Sequence, residues 1–157
     1  MKLHPQIDEL MNAMLPLVQQ FHAKGQLAPH AASMDNAGEI KGSALVVQDS
    51  RTLSVPEALS HFESTFRQAA QASEIVASAV FFHGVGLAEP ARHAKTEEEA
   101  RAIVALLEHK SGDSVFLVVP YESTPGGITY EVGKLIGKPA AVFSSPVKES
   151  KPWWRVW

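Results

Sequence analysis

The sequence predicts an α+β protein, with one antiparallel sheet of five or six strands and two helices packed on it. Three observations carry that expectation. Apolar residues recur at helical spacing over residues 5–23, and a second helical run with its own start signals follows Ser54. The remaining apolar stretches are short, rich in β-branched and aromatic residues, and separated by Gly-, Asp- and Pro-containing turns.

In the first helix Ile7, Leu10, Met11, Met14, Leu17, Val18 and Phe21 form a single apolar stripe. Pro16 lies inside it, lacks an N–H and presses on the carbonyl four residues back, so a kink or two helical pieces meeting near Leu15 are expected. Gly25 supplies the stop, because a left-handed conformation costs least without a side chain. Between Gln26 and Val47, "QLAPHAASM" and "EIKGSALVV" flank the turn-forming "DNAG" and read as a hairpin. Pro29 cannot donate to a ladder and favours an edge position or a bulge in the first of these strands.

Thr52 or Ser54 caps the second helix, Pro56 is tolerated in its first turn, and Leu59, Phe62, Phe66 and Ala69 or Ala70 carry its buried face. "EIVASAVFF" then reads as a central strand covered on both sides, and "HGVGLAEPARHAK" as a loop. The stretch "RAIVALLEHKSGDSVFLVVPY" from Arg101 to Tyr121 admits two readings. As a helix it begins with a capping box of Thr96 and Glu99, and Ala100, Ile103, Val104 and Leu107 share a face. As a hairpin it alternates Ile103, Ala105, Leu107 and His109 against Val104, Leu106 and Glu108, then turns through "SGD". Local propensity alone prefers the helix.

The chain resembles a family of small uncharacterised bacterial proteins. The residues that carry the resemblance are the first helix with its internal Pro, the G-x-L-x-P of Gly25 to Pro29, the "GE" of Gly38 and Glu39, and "LEHKSGDSVFLVVPYE". They lie in a stretch that reaches about Phe143. The resemblance implies that "LEH-x-x-G" closes one strand and "PY" ends its partner, which selects the hairpin, Ala102 to Lys110 paired with Ser114 to Tyr121. The implied order is helix, two strands, helix, three strands, similar to that of profilin-like domains. It brings no activity with it.

At 157 residues and 45% hydrophobic content the chain suits one domain, with 144–157 as a C-terminal tail or last strand. Fourteen Lys and Arg against seventeen Asp and Glu leave a formal charge of −3 without a basic block, so no nucleic-acid partner is expected. No run approaches the roughly 18 apolar residues of a membrane span, and Asp8, Glu9 and Pro16 interrupt the start before a signal-peptide core forms, so no membrane association and a cytoplasmic location are expected. With no cysteine, disulfides and thiolate chemistry are excluded.

No catalytic motif survives inspection. "PGGITYEVGKLIGKP" invites comparison with a phosphate loop, yet five residues separate Gly127 from Gly133, and Lys134 is followed by Leu135 rather than Ser or Thr. A Gly-Gly turn leading into an extended "ITYEVG" is the simpler reading. Seven histidines fall at 4, 22, 30, 61, 83, 93 and 109, no two of them three or four apart. A metal site and a cofactor are therefore not expected. Ser144 and Ser145 lack the setting of a nucleophile elbow, no carboxylate pair is singled out by spacing, and Glu97, Glu98 and Glu99 read as a solvated loop or helix start.

Two functional expectations follow. The first is a non-enzymatic binding or protein-interaction module, in which Trp153, Trp154, Arg155 and Trp157 form a docking element for a partner or a second copy, giving a homodimer. The alternative is a small-molecule-binding protein or small enzyme with its site between the helices and the sheet, drawing polar groups from His22, His30, His83, His109 and Tyr121.

Overall fold

The computed structural model describes residues 2–43, 47–48, 51–52 and 54–143. Helix α1 (Pro5–Ala23) begins where the His4 side chain accepts the Gln6 N–H at 3.1 Å, and Pro5 occupies the first turn. Pro16 does not divide it: α1 is one element of 19 residues. Pro16 and Asn12 are both exposed, so the face on which an intrahelical bond is lost meets water. Gly25, at φ 79°, ends the helix, with its N–H bonded to His22 O and that of Gln26 to Phe21 O.

Strands β1 (His30–Asp35) and β2 (Ile40–Ser43) form the expected hairpin. Pro29 corrects its expectation, because β1 is internal, between β2 and β5, and Pro29 stands just ahead of the first paired residue, where no ladder bond is required of it. Val47–Gln48 (β3) and Arg51–Thr52 (β4) pair in a small separate ladder. Helix α2 (Val55–Gln71) opens on a complete capping box, Ser54 Oγ accepting the Glu57 N–H and Glu57 Oε1 accepting that of Ser54.

The central strand β5 (Ile75–Gly84) is buried along its whole length. After a 17-residue connection come β6 (Ala102–His109) and β7 (Ser114–Thr124), antiparallel as expected for the hairpin; β6 stops one residue short of the expected Lys110, β7 runs three past Tyr121, and Ser114 faces Glu108. Then β8 (Gly127–Tyr130) and β9 (Lys134–Gly137) line successive halves of the β7 edge. The main sheet therefore has seven strands, in the order β2-β1-β5-β6-β7-β8 with β9 also on β7, where five or six were predicted.

Alternation along β5, β6 and β7 assigns the two helices to opposite faces. Ala79, Phe81, Ile103, Ala105, Leu107, Leu117 and Val119 pack with Ile7, Leu10, Met14 and Val18 of α1. Ala31 and Val80 pack with Phe62 and Phe66 of α2. Because β6 is apolar toward both layers, its helix-like spacing is incidental, and the Thr96–Glu99 capping contact, 3.2 Å, closes only a turn. Among the described residues no helix is long and apolar enough to cross a membrane.

Candidate functional site

Four of the five predicted polar residues lie on the α1 face of the sheet and the fifth, His22, on α1 itself, and three of the five converge. His22 comes from the last turn of α1, His83 from the end of β5 and Tyr121 from the middle of β7. The His22 ring centroid is 4.6 Å from that of His83 and 4.3 Å from that of Tyr121. His83 Nδ1 and the Tyr121 hydroxyl share a hydrogen bond of 3.0 Å, and His22 Nδ1 shares one of 2.7 Å with the hydroxyl of Tyr130. Two histidine–tyrosine pairs thus stand against each other at the C-terminal end of α1.

Tyr130 escaped the sequence reading, although a signal for it exists. A tight turn at Pro125–Gly126 makes Thr124 face Gly127, and counting back along both strands then sets Tyr121 opposite Tyr130, as observed. The Gly-Gly turn was expected, but its consequence for the register depends on which residues it pairs.

The connection between β5 and β6 forms the rim. It is pinned by an isolated bridge between Gly84 and His93, by the Ala94 N–H on His83 O at 2.8 Å and by the Arg101 N–H on Gly84 O at 2.9 Å. A Cβ on Gly84 would come within 2.8 Å of Val104 Cγ2, so this close crossing needs glycine. Glu97, Glu98 and Arg101 are thereby carried to the mouth of a cleft of about 460 Å³ that is also lined by His22, Tyr121, Glu122 and Ser123. The Arg101 guanidinium is steadied by the carbonyls of Glu98 and Ala100. Glu97 and Glu98 are exposed, as expected for a solvated loop, and line the cleft, while Glu99 is half-buried and paired with Arg92 at 2.8 Å.

Burial keeps the cluster uncharged. It pushes His83 down to about 3, with smaller contributions from His22 and His30, and pushes Tyr121 up to about 12, with Tyr130 adding to the rise. His22 is also lowered by burial, against an opposing pull from Glu97. Tyr130 is raised by burial.

The other two candidates lie elsewhere. His30, at the start of β1, stacks on Phe21 at 4.7 Å and borders a mainly apolar groove of about 400 Å³ between α1 and β2. Its Nε2 is buried without a hydrogen-bond partner. His109 is at the opposite end of α1, stacked on His4 at 3.7 Å. Its Nδ1 accepts the Ser111 N–H at 2.9 Å, so Nε2 carries the proton donated to Gln6 Oε1 at 2.7 Å. That arrangement fastens the β6–β7 turn to the start of α1, helped by the His4 N–H on Asp113 Oδ2 at 2.7 Å. Trp153, Trp154, Arg155 and Trp157 lie outside the described residues.

Among the described residues, no three His, Asp or Glu side chains are grouped closely enough to hold a metal ion. Comparison with protein-family models, curated proteins and solved structures finds no match.

Proposed function

We propose that the chain is a non-enzymatic binding protein for a small molecule, that its site is the cleft walled by His22 and Tyr121, and that the ligand presents an amine or comparable cationic head. The convergence of the two histidine–tyrosine pairs on that cleft carries the reading. A concave site of about 460 Å³ falls in the range typical of small-molecule pockets and differs from the flat surface that protein partners favour.

The electrostatics favour binding over proton transfer. A general acid or base works best with a pKa near the working pH, whereas His83 at about 3 and Tyr121 at about 12 hold their protonation states throughout the neutral range. They act as fixed, uncharged hydrogen-bonding groups. At the mouth, Glu97, Glu98 and Glu122 outnumber Arg101, and Arg101 already donates to two backbone carbonyls. The surplus negative charge, beside the aromatic faces of His22 and Tyr121, suits a cation.

The test is a titration of isotopically labelled protein with ethylammonium, followed by amide and imidazole NMR shifts. Saturable changes gathered at His22, Ala100, Arg101, Tyr121 and Ser123, and weakened by Glu97→Gln with Glu122→Gln, are expected. Shifts scattered over the surface, or no saturable shift at these residues, would overturn the reading.

A further inference from the structure

The charged cleft does not end at its own wall. His22 lines it, while Tyr130, bonded to His22 at 2.7 Å, lines a second groove of about 510 Å³ that runs between α1 and the β7–β9 side of the sheet. One hydrogen-bonded pair is therefore the partition between a cleft with acidic residues at its mouth and a more apolar groove, whose lining also includes Lys2, Asp8 and Glu131. The second groove has an apolar floor of Met11, Leu15, Leu117, Val119 and Leu135. Its depth depends on Gly133, where a Cβ would stand 2.8 Å from Leu117 Cδ1. The partition stands at a strand end: Tyr130 is half-buried, it closes a four-residue strand, and beyond the Glu131 N–H on Pro120 O, at 2.8 Å, the chain leaves the β7 edge until Lys134.

We infer that the two concavities are one elongated site, and that the ligand is an amine-bearing amphiphile with an unbranched aliphatic chain. This rests on the cleft reading above and extends it. The cationic head sits among Glu97, Glu98 and Glu122, and the chain passes Tyr130 to lie along Leu15, Leu117 and Val119. Charge complementarity fixes which end enters the cleft, and the apolar floor fixes the nature of the rest. Tyr130 is the divider that moves: it stands at a strand end, its hydroxyl bonded to His22 and its ring packed edge-on against His22 and Tyr121, so that swinging aside exchanges those contacts for the ligand chain without disturbing the ladder.

The experiment compares ethylammonium, octylammonium and octanoate by calorimetry on the full chain, each well below any micelle-forming concentration. Each buried methylene adds up to about fourfold in affinity, so octylammonium is expected to bind at least about tenfold more tightly than ethylammonium even if the tail is only partly covered. Octanoate, with the same tail and the opposite charge, is expected to bind at least about tenfold more weakly than octylammonium. Leu15→Trp should abolish the advantage of the long chain and leave ethylammonium binding unchanged. Should that variant fail to fold, contacts between the octyl methylenes and the Leu117 and Leu135 methyl groups, read as intermolecular NOEs on the wild-type protein, decide the matter. Equal affinities for ethyl- and octylammonium, or octyl contacts outside the groove, overturn the elongated site and leave the cleft reading standing. Equal binding of octylammonium and octanoate with none of ethylammonium overturns both.

Discussion

Lys138 Nζ stands 2.7 Å from Glu108 Oε2, with neither side chain more than 6% exposed. The same carboxylate accepts the backbone N–H groups of Ala141, Val142 and Phe143 at 2.9–3.2 Å. Glu108 is therefore the post to which the segment after β9 is tied on the α2 face. Removing it takes the acceptor from three backbone N–H groups and leaves the Lys138 ammonium with Pro139 O at 3.2 Å in place of a carboxylate, whereas removing Lys138 leaves the carboxylate with its N–H donors. Glu108→Ala is expected to cost about 3–5 kcal/mol in urea unfolding, and Lys138→Met distinctly less. Equal losses, or a silent Glu108→Ala, would show that the tie contributes little.

Stability should fall on acidification before most carboxylates titrate. His83 is held at about 3 in the fold, against an ordinary value of 6.5 in the unfolded chain. Between those values the unfolded chain binds the extra proton, so the contribution is fully present above pH 6.5 and lost as pH falls toward 3. The depressed His22, His30 and His109 act in the same direction. Unfolding free energies measured at steps from pH 7.5 to 4 should decline by on the order of a few kcal/mol, and His83→Gln should flatten part of that slope. An imidazole of His83 that titrates near 6.5 by NMR would contradict this account.

The capping box of α2 offers a smaller and cleaner perturbation, since it lies away from the cleft. Ser54→Ala removes the acceptor for the Glu57 N–H and is expected to lower stability by about 1 kcal/mol. Thermal denaturation should register it, with ligand binding unchanged.

Self-association through the three C-terminal tryptophans remains the expectation for residues outside the described part of the chain. Light scattering should give a dimer mass for the full chain and a monomer mass once Lys151 to Trp157 are deleted. A monomeric full-length chain at high concentration would remove the idea.

The sequence by itself determined the two helices, their start and stop signals, the first hairpin and the buried centre of the sheet. Each of these is written in contacts a few residues apart: the Ser54–Glu57 box, the stop at Gly25, the largely apolar run of β5. Only the tertiary structure decided that Ala102–His109 is a strand, because burial between β5 and β7 with a helix over each face outweighs a local helical preference of tenths of a kcal/mol per residue. It also separated His109 from His22, His83 and Tyr121. His83, His109 and Tyr121 all face α1, to which His22 belongs, but the sheet's length sets His109 at the opposite end of that helix from the other three, a distance that no spacing along the chain expresses.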